Sequence, residues 1–209
     1  GGGTRARVIG SVLSVLVAPD DPGAVIAALA AASIVSLTVT EKGYCHNPAT
    51  GRLDLSHPDI VHDLAHPAAP RSAIGFIVAG LAVRRAAGLR PFVVVTCDNL
   101  PANGRLLAGL VRDFAALCDR ALADWIAMNV AFPATMVDRI VPAMTPADVN
   151  AARAAIGLSD AAPVSHEPFR QWVIEDRFGD AERPAWEKAG AQIVADVAPF
   201  EHMKLRLLN

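Results

Sequence analysis

Apolar and polar positions follow two recurring patterns along the chain. Short runs rich in β-branched residues, each ended by polar residues, are typical of parallel strands that are buried on both faces. Five segments have this pattern and are predicted as strands: RVIGSVLSVLVA (7–18), IVSLTVT (34–40), PFVVVTC (91–97), TMVDRIVPAM (135–144) and FRQWVIED (169–176).

Helical patterns lie between these runs. The segment DPGAVIAALAAA opens with an acid and a proline, which are signals for a helix start. Residues 72–88 begin on a serine and end on a glycine, and they predict a second helix. Residues 104–129 carry apolar side chains at the spacing of one long amphipathic helix. Residues 145–168 predict a short helix followed by a loop.

The alternation of strands and helices predicts an α/β fold with a doubly wound parallel sheet. In such sheets ligands bind outside the carboxyl ends of the strands. The segments TVTEKGYC (38–45) and TCDNLPANG (96–104) place polar groups and a glycine at two such ends. From position alone, ordinary turn chemistry and a binding function are equally good interpretations of these segments.

Composition narrows the class of protein. Hydrophobic residues make up 53% of the chain and charged residues 19%, which is typical of a globular protein with a large core. A net charge of −2 gives no electrostatic footprint for nucleic acid or an anionic membrane, so a small-molecule partner is expected. The longest apolar stretch, residues 24–39, is too short for a membrane span. Three sparsely placed cysteines are typical of reduced thiols in a cytoplasmic protein.

Two kinds of site are not evident in the sequence. No glycine-rich G-x-G-x-x-G turn follows any predicted strand, so either the fold does not bind a dinucleotide or its first βα unit lies upstream of residue 1. His57, His62 and His66 are interpreted as loop histidines, because no acid or cysteine is placed to complete a metal site with them. The sequence therefore predicts no metal site, and a metal-dependent hydrolase is not supported.

Five segments, in order and covering essentially the whole chain, resemble the mannitol dehydrogenase family: SLTVTEKGYC, CDNLPANG, FPATMVDRIVP, QWVIEDRF and RPAWEKAGAQIVADVAPFEHMKLRLLN. Members of this family are zinc-independent, NAD(P)-dependent dehydrogenases, among them mannitol 2-dehydrogenase and fructuronate reductase. The resemblance implies a Rossmann-type domain followed by a mostly helical domain, with the active site between them.

The resemblance also implies a division of this chain. Residues 1–198 are expected to be a Rossmann-type NAD-binding domain that lacks its first glycine-rich βα unit. Residues 199–209 are expected to be the start of the helical catalytic domain. On this interpretation the chain alone has no appreciable dehydrogenase activity, and its truncated edges favour self-association.

The implied activity is the NAD(P)-dependent interconversion of a polyol or hexonate with its keto sugar, either mannitol with fructose or mannonate with fructuronate. NAD is the expected cofactor. NADP stays open, because the residue that would choose between them is expected upstream of residue 1. An alternative function is a non-catalytic α/β module that binds a nucleotide or a sugar without turnover.

The resemblance assigns roles to individual residues. Lys204 matches the general base, Asn99 and Asn209 match the amides that polarise the substrate oxygen, and Glu201 matches a residue that guides protons. Asp138 matches a carboxylate that either faces the substrate or supports the residues that do. Without the resemblance, each of these residues has an ordinary structural or surface explanation. Five residues are expected to lie against the cofactor: Thr40, Glu41, Lys42, Gly43 and Asn99.

Overall fold

The computed structural model describes residues 5–208, which form two compact units. One unit comprises Asp138–Arg170 with the described part of Gly1–Val15, and the other comprises Leu16–Val137 with the described part of Gln171–Asn209. The α-helices are α1 (Pro22–Ala31), α2 (Pro58–Ala65), α3 (Ala73–Ala86), α4 (Asn103–Cys118), α5 (Arg120–Asn129), α6 (Pro146–Ile156) and α7 (Ala198–Leu208). The strands are β1 (Ile34–Leu37), β2 (His46–Asn47), β3 (Arg52–Leu53), β4 (Val93–Thr96), β5 (Thr135–Asp138), β6 (Gln171–Glu175) and β7 (Gln192–Val194).

The strand pairs of the larger unit establish its architecture. Strand β1 runs parallel to β4, from Ile34 opposite Val93 to Leu37 opposite Thr96. Strands β5, β6 and β7 form a second sheet in that order, and β6 is parallel to β7. The short strands β2 and β3 form an antiparallel hairpin. The predicted α/β fold with parallel strands separated by helices is confirmed.

Strand β4 lies at the centre of the core, because both of its faces are covered. Val94 packs in a large cluster with apolar side chains of α3, α4 and α5, while Val93 and Val95 pack against Ile174 and Phe178. Burial on both faces is what a continuous run of valines predicts for a central parallel strand. Among residues 5–208, no helix has the length and apolar composition needed to cross a membrane.

The smaller unit is built around α6. Thr145 caps this helix by accepting a hydrogen bond from the Asp148 backbone, and the Asp148 carboxylate accepts from the Thr145 backbone in return. Gly157 ends the helix in the left-handed conformation, at φ 67°. Arg139 donates to the backbone carbonyl of Phe169 at 3.2 Å. The predicted short helix followed by a loop is confirmed.

Two predicted elements are wrong. Residues 7–17 form no strand, because no described strand pairs with them to satisfy their backbone hydrogen-bonding groups. Several of their apolar side chains are exposed. The predicted long helix at 104–129 is two helices, α4 and α5, separated at Asp119. This residue is extended, at φ −154° and ψ 112°, and its carboxylate accepts a hydrogen bond from the backbone of Ala121. Its short polar side chain therefore starts a new helix instead of continuing the first.

The histidine-containing segment is also helical, which corrects the prediction of a loop. His57 is the N-cap residue of α2, Pro58 occupies the first helical position, and His66 ends the helix. The rings of His62 and His66 stack at a centroid distance of 4.6 Å on one face. Proline at the first helical position is typical of a helix start, so Pro58 was an available signal for this helix.

Helix α4 begins in close contact with the segment that leads into β5. A Cβ atom placed on Gly104 would lie 2.5 Å from the Phe132 carbonyl oxygen and 2.7 Å from the Ala134 nitrogen, both backbone atoms. Gly109 lies in the same helix, and an added Cβ there would meet nothing within 4 Å. Glycine at position 104 is therefore required by close packing, whereas glycine at position 109 is not.

We expect Gly104→Ala to lower the free energy of unfolding by about 1–3 kcal/mol, because backbone must move to accommodate the methyl group. Gly109→Ala is the matched control and should raise it by up to about 1 kcal/mol through higher helix propensity. Urea denaturation of both variants measures the difference. Equal effects of the two substitutions would show that the contact at Gly104 is not tight.

Candidate active site

The carboxyl ends of β1 and β4 meet at one edge because the two strands are parallel. The 3₁₀ helix Glu41–Tyr44 follows β1, and the loop that holds Asp98 and Asn99 follows β4. The Tyr44 hydroxyl donates a hydrogen bond of 2.5 Å to Oδ2 of Asp98. Tyr44 is only 1% exposed and Asp98 8%, so the two segments are joined by a buried polar contact.

Burial determines the electrostatics of this pair. Desolvation raises the pKa of Asp98 above its ordinary value, while hydrogen bonds from Tyr44 and from the Val39 backbone act in the opposite direction. Burial and the neighbouring Asp98 also raise the pKa of Tyr44, so its hydroxyl remains a donor at neutral pH. Burial raises the pKa of the adjacent Cys97 to about 11, which keeps this thiol protonated.

Asn103 fixes the loop after β4 to strand β5. Its side chain is fully buried and makes three hydrogen bonds. Nδ2 donates to the backbone oxygens of Asp98 and Thr135, both at 2.9 Å, and Oδ1 accepts from the Thr135 nitrogen at 3.0 Å. The loop that carries Asn99 is therefore held at both ends, by Asp98 and by Asn103.

Helix α7 brings two predicted site residues to this loop. The Lys204 ammonium donates to Oδ1 of Asn99 at 2.8 Å and to the Val137 carbonyl at 2.6 Å. One turn earlier, Oε1 of Glu201 accepts from the backbone nitrogen of Ala102 at 3.1 Å. The structure thus brings Lys204, Asn99 and Glu201 together, although α7 and the loop are about a hundred residues apart in the sequence.

The residues predicted to face the cofactor lie at the same strand ends. Thr40, Glu41 and Lys42 are exposed, and Gly43 is half-buried. The Gly43 nitrogen donates to the Thr40 carbonyl at 2.8 Å, which closes the 3₁₀ turn. These polar groups line the edge of the sheet beyond β1, where α/β proteins bind ligands.

Two predicted site residues are not placed with this group. Asn209 lies outside the described residues. Asp138 ends β5 and belongs to the smaller compact unit. Their predicted roles, as an oxygen-polarising amide and as a substrate-side carboxylate, stay predictions.

Sequence reasoning overlooked the residues that support the site. Tyr44, Asp98 and Asn103 all lie inside the two polar segments at the strand ends, but none of them was singled out. One signal was available, because Tyr44 is the single tyrosine of the chain and directly follows the predicted cofactor segment. The burial of Asp98 and Asn103 depends on contacts with distant elements, which local pattern does not show.

Comparison with known proteins identifies the family. The model of the mannitol dehydrogenase Rossmann domain matches residues 2–188. The chain belongs to the mannitol dehydrogenase family.

Relatives in this family are similar over nearly the whole chain. D-mannonate oxidoreductase from Escherichia coli is 51% identical over 99% of the chain, and mannitol 2-dehydrogenase from Aspergillus terreus is 50% identical over 99%. The chain spans 43% and 42% of the length of these two relatives. The solved ternary complex of Pseudomonas fluorescens mannitol 2-dehydrogenase with NAD and D-mannitol matches with a TM-score of 0.88 and 48% identity, over 94% of this chain and 40% of that one.

The contact between Tyr44 and Asp98 predicts a pH-dependent loss of stability. Because the hydrogen bond from Tyr44 lowers the pKa of Asp98, it stabilises the ionised carboxylate more than the neutral acid, and its contribution becomes smaller as the pH falls through the pKa of Asp98. At pH 7 we expect Tyr44→Phe to lower the free energy of unfolding by about 1.5–3 kcal/mol, the range for bonds to charged groups. Urea denaturation as a function of pH measures this loss.

Asp98→Asn provides the matched background for this experiment. There the acceptor is neutral at every pH, so Tyr44→Phe should cost less and its cost should not change between acidic and neutral pH. A loss that is the same in both backgrounds would mean that the ring environment, and not the bond to the carboxylate, determines the effect.

Proposed function

We propose that the full-length protein containing this chain is an NAD-dependent dehydrogenase that interconverts a polyol or hexonate with its keto sugar. The proposed substrate pair is mannitol and fructose or mannonate and fructuronate. The names of the two relatives, D-mannonate oxidoreductase and mannitol 2-dehydrogenase, support these two choices. The observation that carries the proposal is the 2.8 Å contact between Lys204 and Asn99. A binding module without turnover has no need for an amine held against an amide at the end of a strand.

Lys204 is proposed as the general base. In its neutral form the amine accepts the proton of the substrate hydroxyl, and in the reverse direction the ammonium returns it. The Val137 carbonyl and Oδ1 of Asn99 hold Nζ in place at 2.6 and 2.8 Å. The amine is therefore positioned before substrate binds, which lowers the entropic cost of proton transfer.

Asn99 is proposed to stabilise the oxygen that becomes negatively charged. Its Oδ1 accepts from Lys204, so the amide orientation is fixed and the Nδ2 hydrogens are directed to the other side of the group. An N–H donor held in this way favours an alkoxide without competing for its proton. Asn209 is proposed as a second such amide, and Asp138 as a substrate-side carboxylate.

Glu201 is proposed to guide protons between Lys204 and water. It lies one turn before Lys204 on α7, and its bond to the Ala102 backbone holds the carboxylate at the same loop as Asn99. An acceptor one turn from the base suits such a role. In the proposed division of the chain, residues 1–198 belong to the cofactor-binding domain and residues 199–209 begin the catalytic domain.

The residues present fit the nicotinamide half of NAD. The exposed polar side chains of Thr40, Glu41 and Lys42 and the exposed amide of Asn99 lie at adjacent carboxyl ends of a parallel strand pair. Such an edge is where nucleotide cofactors bind in open α/β sheets. When bound there, NAD would accept the hydride from the substrate carbon. The chain contributes the walls of this site and the base beside it.

We expect Lys204→Met in the full-length protein to reduce kcat by at least about 100-fold, because methionine cannot accept a proton. Lys188→Met is the matched control and should keep normal rates, since Lys188 is an exposed lysine on the 3₁₀ helix Trp186–Ala189 and no role in the reaction is proposed for it. The measurement is NADH oxidation with fructose and with fructuronate, and NAD reduction with mannitol and with mannonate.

The same assays test the reaction as well as the residue. Turnover of any of these substrates that persists undiminished in Lys204→Met would remove Lys204 from the mechanism. Absence of turnover with all four substrates, in a protein that still binds NADH by fluorescence, would favour the binding-module alternative. A preference for the hexonate pair would assign the protein to the fructuronate reductase type.

A further inference from the structure

A second cluster of reactive side chains lies next to the candidate active site in the sequence, beginning at Cys45. The hairpin of β2 and β3 folds the chain back, so that the Asp54 nitrogen donates to the Cys45 carbonyl at 2.9 Å and the His57 nitrogen donates to the Asp54 carbonyl at 3.1 Å. This path returns His57 to Cys45, twelve residues earlier in the chain. Asp59 follows in the first turn of α2.

The three side chains converge on a common point. One ligand atom each from Cys45, His57 and Asp59 lies within 4.8 Å of the other two. Cys45 is buried, at 3% exposure, while His57 and Asp59 are half-buried, so the cluster has an inner thiol and an outer opening. The Cys45 thiol donates a long hydrogen bond of 3.8 Å to the Gly43 carbonyl.

We propose that Cys45, His57 and Asp59 form a binding site for a zinc ion. The donors are one sulfur, one imidazole nitrogen and one carboxylate oxygen, which is a typical zinc ligand set with a fourth position left for water. Magnesium and calcium prefer oxygen ligands alone, so the thiol and imidazole favour zinc over these ions. Nothing in the proposed dehydrogenase chemistry uses this site.

The required movement is small. Zinc bonds of about 2.0–2.3 Å in a tetrahedron place ligand atoms about 3.3–3.6 Å apart. Nδ1 of His57 and Oδ2 of Asp59 are already 3.9 Å apart. The ligand atoms of all three side chains already lie within 4.8 Å of one another, so side-chain shifts of roughly 1–1.5 Å are enough to reach these separations.

The local charge also favours a cation. The carboxylates of Asp54, Asp59 and Asp63 all lie close enough to the Cys45 thiol to interact with it electrostatically. His62 contacts Asp63 at 3.1 Å in the same helix. Zinc binding would convert the thiol to a zinc-bound thiolate and release its proton, and the ion's two positive charges would offset the thiolate and the Asp59 carboxylate.

Ligation through Nδ1 of His57 has one structural cost. This nitrogen now accepts a long hydrogen bond, 3.2 Å, from the Asp59 backbone and thereby caps α2. The metal would take the same lone pair and hold the start of the helix in place of the cap. His57→Asn is therefore an informative variant, because asparagine is among the best N-cap residues and cannot replace imidazole in a zinc site.

The test is zinc binding by the 209-residue chain after removal of metal with a chelator. We expect one equivalent of zinc, a zinc-dependent rise in Tm, and a thiolate-to-metal charge-transfer band when cobalt(II) is the probe. His57→Asn and Asp59→Asn should each weaken zinc binding at least about 10-fold, while the metal-free Tm of His57→Asn stays unchanged or rises. Cys45→Ser should remove the cobalt charge-transfer band.

Two control variants separate this site from other thiols and imidazoles. Cys118→Ser changes an exposed cysteine at the end of α4, and His66→Gln changes an exposed histidine at the other end of α2. Both should bind zinc and cobalt as the parent chain does. Absence of stoichiometric zinc binding, or binding that is lost in a control variant and kept in His57→Asn, would overturn the proposal.

Discussion

The buried hydrogen bond from Tyr44 to Asp98 is the constraint on which the candidate site depends. Strands β1 and β4 are only four residues long, and beyond their last pair, Leu37 and Thr96, no strand pairing of the described residues holds the two segments together. A carboxylate at 8% exposure is costly unless donors surround it, and Tyr44 and the Val39 backbone supply them. Satisfying that one carboxylate therefore fixes the two strand ends against each other and sets the position of Asn99.

The contacts of α7 complete the site only when the rest of the larger unit has folded. Lys204 reaches Asn99 beyond β4 and the Val137 carbonyl in β5, and Glu201 reaches the backbone between them. Asn103 holds those two segments at a fixed separation through its three hydrogen bonds. The amine is therefore placed by a chain of polar contacts, each of which has a partner far away in sequence.

The sequence predicted the central elements because their signals are local. The valine run of β4 and the serine cap of α3 are visible in short windows, and the structure confirms both. The split at Asp119 and the exposed segment 7–17 were missed because a helix or strand pattern does not report whether the chain turns or finds a partner. Lys204 and Asn99 were found through motif resemblance, whereas Tyr44 and Asp98 required the fold, since their burial depends on neighbouring strands.

Tyr44 and Cys45 are neighbours in the chain, yet their side chains serve different sites. Cys45 adopts the left-handed conformation, at φ 49° and ψ 41°, which is unfavourable by about 1–2 kcal/mol for a residue with a side chain. At this turn the Tyr44 hydroxyl contacts Asp98, and the Cys45 sulfur lies near His57 and Asp59 at the start of α2. The candidate active site and the proposed zinc site therefore depend on neighbouring residues of one backbone turn.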